Sequence, residues 1–421
     1  MEQITRNTCR VDNEELIELF DLGPLYLSGF ITPGTESKIP RIPLTLCMGK
    51  NSRLIQLKDT ASSAQMYEEY WYRSGINQTM TNELKSIAQS VMDTMTPNDG
   101  EILIDIGCND GTLVKNYPKH LTIVGFDPAK NLHQYSSQYT TKTITNYFNS
   151  KEYFQNFTKK AKVITSIAMF YDLEEPNQFV KEIYKVLDDN GLWVIQMSYL
   201  PLMLNQMAFD NICHEHLEYY SLESLKFLLD KHEFKIVDCM LNDINGGSYR
   251  IYIQKKNAKV NSFSSTQYRD VANFRVNAML NYEKNLKLDQ PETYYKFFED
   301  MKTLKEKTIL FLKEEKSKGK KIQGYGASTK GNTLLQWYNI GPDLIEKIAE
   351  RNPDKWGKVT LGTNIPICSE EESRNDSPDY LFVLPWHFRD EFLKRERTFL
   401  EKGGKFIFPL PKFEVVGIEN L

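Results

Sequence analysis

The chain has 421 residues and a mass of 49.1 kDa, enough for two or three domains. Its 52 Lys and Arg against 56 Asp and Glu give a net charge of -4, so no long basic surface for nucleic acid is expected. No apolar window reaches the length of a membrane span, and the charged opening MEQITRNTCRVDNEELIELF does not read as a signal peptide.

Residues 1–80 read as short strands and turns, broken by Pro24, Pro33, Pro40 and Pro43. Ile42 to Leu57 reads as two strands around a turn at Gly49. So small a region needs a metal or a neighbouring domain for stability. Gln65 to Gly75 then gathers four aromatic residues beside Arg73. Residues 81–256 alternate strands and helices. A helix is expected from Asn82 to about Met95, and strands at Glu101–Gly107, Leu121–Asp127, Lys162–Met169 and Leu192–Met197. The last of these follows a turn at Asp189-Asn190-Gly191, and Glu233 to Lys256 reads as a closing antiparallel hairpin. Apolar strands with helical connections predict a parallel sheet covered on both faces. Residues 257–421 begin with a polar stretch and a long helical segment from about Gln267 to Lys318, broken near Pro291. A second small α/β unit follows. The six cysteines are widely spaced, as expected of thiols in a reducing cytoplasm and not of a disulfide framework.

The strongest local signal is IDIGCNDGTLV, Ile104 to Val114. A strand ends at Asp105, and Gly107, Asn109, Asp110 and Gly111 form a small-residue turn that lets backbone approach a ligand. Twenty residues after Gly107, Asp127 ends the next strand, where its carboxylate can accept hydrogen bonds from ribose hydroxyls. Glycines and acid together indicate an adenosine-containing cofactor. Asp105 favours S-adenosylmethionine over a dinucleotide, because a carboxylate there repels phosphates but suits a methionine ammonium.

The second signal is FDNICHEHLEYYS, Phe209 to Ser221, which holds His214, Glu215, His216, Glu218, Tyr219 and Tyr220. The spacing is not that of a zinc protease. General acid/base chemistry is the leading use, since histidine titrates near neutrality; a metal pair of His214 and His216 and a purely structural cluster stand as alternatives. Cys213 reads as packing. Tyr72 and Arg73 in YWYRSG are pocket and phosphate candidates against a packed aromatic turn. GYGASTKGNTLL, Gly324 to Leu335, reads as a glycine turn and helix N-terminus suited to phosphate, with Lys330 as donor.

Together these motifs give the chain a resemblance to the three-domain sugar C-methyltransferases, which act on nucleotide-linked keto-deoxysugars. It spans nearly the whole chain and rests on YRSGINQTM, DIGCNDGTL, HEHLEYYS, GGSYR, GYGASTKGNTLL, RNPDKWGKVTLGTNIPI, VLPWHFRDEF and GGKFIFPLP. The resemblance implies an α/β protein with a central class I methyltransferase (Rossmann-like) domain at 81–256. It implies a small β-rich N-terminal domain at 1–80, like a degenerate zinc-binding module, and a C-terminal Rossmann-like domain at 257–421 that helps hold the nucleotide-linked substrate. His216 falls on the family's proposed base, Glu215 on the preceding glutamate and Tyr72 on a pocket tyrosine; His214 and Tyr219 complete the catalytic candidates. Asp105, Gly107, Asn109, Gly111 and Asp127 would bind S-adenosylmethionine. Arg73, Tyr171, Tyr325, Lys330 and Asn332 are the expected substrate contacts.

Three features depart from the family. Its two CxxC pairs read here Cys9-Arg10-Val11-Asp12 and Cys47-Met48-Gly49-Lys50, so packing is expected in place of zinc; Cys9 and Cys47 with His120 or a carboxylate would be a weak ligand set. Cys213 replaces a tyrosine before HEH, and Tyr171 stands near an expected histidine. The implied reaction is removal of the proton alpha to a ketone by His216, directly or through Glu215, with Tyr72 or Tyr219 holding the enolate oxygen. O-methylation of a sugar or another small scaffold, and a nucleotide-sugar-binding protein without chemistry, are the competing readings. The expected partner is a small molecule, with neither nucleic acid nor membrane; no feature specifies an oligomeric state.

Overall fold

In the computed structural model, the structure describes residues 3–35, 39–61, 72–258 and 266–421. Strands β1 (Leu16–Tyr26), β2 (Arg41–Gly49) and β3 (Ile55–Leu57) form an antiparallel sheet. The turn expected at Gly49 is there. Leu44, Leu46 and Met48 of β2 are fully buried, and they join a single core with residues of the C-terminal domain such as Tyr325, Leu334 and Tyr338. The neighbouring domain therefore supplies apolar cover that this small region lacks by itself.

The central domain is built on β4 (Ile102–Ile106), β5 (Thr122–Phe126), β6 (Lys142–Ile144), β7 (Ala161–Ile167) and β8 (Leu187–Ser198), with β10 (Phe234–Asn242) and β11 (Ser248–Lys255) as the hairpin. The short strand β9 (Glu218–Tyr219) leaves this domain. The sheet order is β10-β11-β8-β7-β4-β5-β6, parallel except for β11, which runs antiparallel to both neighbours. This is the class I methyltransferase order: two βαβ halves meet at β4 and β7, where the chain changes direction across the sheet. Apolar clusters cover both faces, one around Trp193 and Phe170, the other around Ile87 and Leu103.

Helix α1 (Gln78–Thr94) starts four residues before its expected Asn82. Asn77 caps it by accepting from Met80 N at 3.1 Å, and the polar first turn hid that start. Met80, Leu84, Ile87, Ala88 and Val91 then fall on one buried face. β8 begins earlier than expected. Asp189-Asn190-Gly191 is not a terminal turn but lies within the strand, where the register against β7 shifts between Ala161 and Val163. Helix α2 (Pro176–Val186) carries proline in its first turn, and α3 (Leu222–Lys231) opens on a reciprocal Ser221–Ser224 cap.

Helices α4 (Thr266–Asn285) and α5 (Pro291–Ser317) realise the broken helical segment. The C-terminal domain then holds β12 (Ile322–Tyr325), helix α6 (Thr329–Tyr338), β13 (Ile348–Glu350), β14 (Ile367–Ser369), β15 (Tyr380–Val383), β16 (Lys405–Phe408) and β17 (Glu414–Val416). Its order is β14-β13-β12-β15-β16-β17, with five parallel strands and an antiparallel edge. No helix among the described residues is long and apolar enough to cross a membrane.

Candidate active site

The first half of the site lies at the carboxyl ends of β4 and β5. Asp105 is buried, and Thr165 donates to it at 2.6 Å from the neighbouring β7. Burial pushes its carboxyl up to about 7, only partly offset by Thr165. Among the described residues no cation pairs with it. Gly107 and Gly111 take positive φ (75° and 80°), and a Cβ on Gly111 would stand 3.0 Å from the Ser136 backbone. Asn109 is left-handed too, at φ 50°. Its N–H donates to Asp127 Oδ2 at 2.7 Å, and Ala129 N–H donates to Oδ1 at 2.9 Å. Each Asp127 oxygen therefore keeps a free acceptor direction.

Residues 72–75 clamp this turn. Asn109 accepts from Ser74 N and donates to the Tyr72 carbonyl, both at 3.1 Å, while Gly75 N donates to Asp110 Oδ2 at 2.9 Å. A side chain on Gly75 would clash with that carboxylate, its Cβ at 2.9 Å. Arg73 lies over the Tyr135 ring at 4.0 Å, on the cofactor side of the cleft rather than beside the C-terminal glycine turn. The aromatic cluster expected from Gln65 onward falls largely outside the described residues.

The second half is the segment after the Phe209–Asn211 turn. Its end, β9, pairs with β3 (Glu218 with Gln56, Tyr219 with Ile55), so the histidine motif becomes the edge strand of the N-terminal sheet. Leu217 N donates to the Tyr171 carbonyl at 2.9 Å, which ties the motif to the loop leaving β7. His216 is thereby carried to the carboxyl ends of the parallel strands, its ring 4.5 Å from that of Tyr171. Its Nδ1 lies 3.0 Å from the Asn211 carbonyl. A carbonyl only accepts, so Nδ1 carries the proton and Nε2 keeps its lone pair. Burial and the nearby Lys330 ammonium hold the imidazolium form down to about 3. Glu215 beside it is pushed up to about 7 by burial, against the pull of Lys330.

The sequence-picked residues thus divide. Tyr171, Glu215, His216 and Lys330 come together, while Tyr72 sits on the neighbouring glycine turn, its carbonyl accepting from Asn109 and its side chain 45% exposed. Tyr219 lines the small cavity under His216, but its hydroxyl donates to the same Asn211 carbonyl at 3.3 Å, so it braces the base instead of facing an enolate. His214 is corrected outright. Its Nε2 lies 2.9 Å from the Ile42 carbonyl on β2, away from the His216 contact, so the two histidines are no metal pair. Tyr325 and Asn332 do not face the cleft as expected. The Tyr325 hydroxyl donates to Glu396 and Glu370 in an ion network closed by Arg374 and Arg395, and Asn332 donates to the Gly29 carbonyl. Asn211 and Ser74 were missed. Both lie in stretches that the sequence marks, but no spacing rule distinguishes them from their neighbours.

Both N-terminal thiols are buried. Cys9 packs against Ser52 (Sγ–Oγ 3.2 Å) and under Gly49, where a Cβ would come 2.6 Å from its Sγ. Asp12 accepts from Ser52 N at 2.6 Å. The positions facing Cys9 are therefore Asp12, Gly49 and Ser52, not Cys47 and Lys50. His120 stands elsewhere, beside Asp99. Burial pushes the Cys9 thiol up to about 11, against the hydrogen bond from Ser52. Among the described residues no three His, Cys, Asp or Glu side chains converge on a metal position.

Two family models match the chain: a methyltransferase domain over residues 77–238 and a C-methyltransferase C-terminal domain over residues 243–411. The curated C-methyltransferase NovU of Streptomyces niveus is 25% identical over 429 residues, covering 100% of both chains. The chain is an S-adenosylmethionine-dependent methyltransferase related to the C-methyltransferases. Solved structures with detectable likeness include magnesium protoporphyrin IX methyltransferase (ChlM) from Synechocystis PCC 6803 with bound SAM, at 10% identity and TM-score 0.31 over 42% of this chain and 79% of that one. The N-methyltransferase NodS from Bradyrhizobium japonicum WM9 is another, at 10% identity and TM-score 0.30 over 42% and 95%. The residues fit the cofactor. Asp105 is a buried carboxylate whose charge an ammonium would offset, the glycine turn brings backbone to the strand ends, and Asp127 would supply carboxylate acceptors to a ribose.

Proposed function

We propose that this methyltransferase C-methylates a nucleotide-linked keto-deoxysugar. The observation that carries the reading is the fixed tautomer of His216, with Nδ1–H on the Asn211 carbonyl. Bound at the β4–β5 turn, S-adenosylmethionine supplies a methyl group already activated on a sulfonium. Carbon is no nucleophile until a proton leaves it, and a neighbouring ketone makes that proton acidic. His216 Nε2 removes the proton alpha to the ketone, and the electron pair left behind forms the enolate. Glu215, whose carboxyl burial holds up to about 7, is the candidate to take the proton onward. Lys330, close enough to His216 to disfavour its imidazolium, would favour negative charge developing on a substrate held there, with Tyr72 the candidate donor to the enolate oxygen.

The nucleotide would lie against the glycine turn after β12, at the carboxyl end of the C-terminal parallel strands. Mass spectrometry of TDP- and UDP-linked keto-deoxysugars incubated with enzyme and cofactor tests the proposal. Gain of one methyl group on carbon is expected with wild type. His216→Asn should lower turnover by about two to four orders of magnitude while binding S-adenosylhomocysteine normally. Methylation only on a hydroxyl would replace this reading with O-methylation.

A further inference from the structure

Asn211 stands at a junction. Its carbonyl accepts from His216 Nδ1–H at 3.0 Å and from the Tyr219 hydroxyl at 3.3 Å. Its side chain is held at both ends: Nδ2 donates to the Ala208 carbonyl at 2.9 Å, and Oδ1 accepts from Lys330 Nζ at 2.6 Å. Lys330 belongs to α6, in the other domain and 119 residues away. The preceding residue is gripped from the same side, since Trp386 Nε1 donates to Asp210 Oδ2 at 3.0 Å. Two C-terminal side chains therefore hold the turn from which the base is hung.

The choice of partner is informative. The titratable groups close enough to act on Lys330, or be acted on by it, are Asp210, Cys213, Glu215, Asp172, His216 and His387. The ammonium's hydrogen bond goes to a neutral amide, Asn211 Oδ1, at 2.6 Å. An apolar side chain of similar length would fill the same space without the cost of desolvating a charge. What it would not do is fix the Asn211 side chain, and with it the direction of the carbonyl.

We propose that Lys330 is a positioning residue: it orients His216 through Asn211, so that the C-terminal domain completes the base of the methyltransferase domain. This rests on the reading of His216 as the base. The test uses the full chain, labelled with 15N-histidine and saturated with S-adenosylhomocysteine. Loss of one signal in His216→Asn assigns the resonance. Wild type should show a single Nδ1–H tautomer from about pH 5 to about pH 8. In Lys330→Met the resonance should become a tautomer mixture, and its titration midpoint should rise, because a nearby positive charge is gone. Lys330→Gln keeps a donor without the charge; it should hold the tautomer while the midpoint still rises. If the methionine variant fails to bind S-adenosylhomocysteine, Lys330→Ala, which also lacks a donor, takes its place. In the mass assay kcat should fall about tenfold to hundredfold in Lys330→Met, with the Kd for S-adenosylhomocysteine unchanged. An unaltered His216 tautomer in both variants would overturn the proposal. Full methyl transfer by His216→Asn would instead sink the base assignment, and the tautomer measurement would still decide the role of Lys330.

Discussion

Asp105 shows how one buried carboxylate links cofactor, pH and stability. Its pKa is pushed up to about 7, as is that of Glu215. A carboxyl raised in the fold contributes stability that is complete below its unfolded value and is lost as pH rises through about 7. Above about pH 6.5, where histidine in the unfolded chain is already neutral, these two carboxyls should lower the stability of the ligand-free protein as pH rises through about 7, read as a falling Tm. A methionine ammonium bound beside Asp105 would reverse the sign there, so S-adenosylhomocysteine should bind more tightly above about pH 7 than below it. Asp105→Asn should weaken binding by about 1.5–3 kcal/mol and flatten its pH dependence in calorimetry. The buried histidines act oppositely. His214 and His216, lowered to about 4 and about 3, contribute stability present above the unfolded value and lost as pH falls through those values. At this scale the sequence was informative about types but not about directions. His214 and His216 are two positions apart and look equivalent on paper, yet a turn at 213–216 sends one to β2 and the other to the cleft.

Among the elements, α3 shows how distant chain secures the site. Glu283 on α4 is buried and reaches the α3 N-terminus, where it accepts from Leu222 N and from Glu223 N at 2.9 Å. It also accepts at 2.7 Å from the hydroxyl of Tyr199, which lines the cavity under His216. A carboxylate at a helix N-terminus satisfies orphan donors and faces the positive end of the dipole. Glu283→Ala should destabilise the protein by roughly 3 kcal/mol, because it leaves a buried hydroxyl and two N–H groups unpaired; denaturant unfolding measures this. The sequence made the parallel strands legible because their apolar runs are continuous. It hid β9, whose two residues have no local strand pattern and pair only with Gln56 and Ile55 far upstream. The Asp189-Asn190-Gly191 segment misled in the other direction, since turn residues also serve a strand irregularity.

Across the whole molecule, three sheets converge on one short segment. The turn at Phe209–Asn211 is gripped by the C-terminal domain, β9 belongs to the N-terminal sheet, and Tyr171 comes from the loop after β7. Each unit was legible from its own periodicity, but their meeting point was not, because it rests on long-range contacts. The N-terminal region completes this assembly through a core shared with the C-terminal domain. Cys9, Ser52 and Asp12 hold its turns by hydrogen bonds where the family pattern has a metal module. Dialysis against a strong chelator should therefore leave Tm and far-ultraviolet circular dichroism unchanged; a fall in Tm restored by zinc would contradict this.

The central claim is proton abstraction from carbon by His216. The most direct test is exchange of the α-proton of a nucleotide-linked keto-deoxysugar in deuterated water, with S-adenosylhomocysteine in place of the methyl donor. Wild type should wash deuterium into the position next to the ketone, and His216→Asn should not. Equal exchange by both, or methyl transfer from the active cofactor without any α-exchange competence in wild type, would contradict the account.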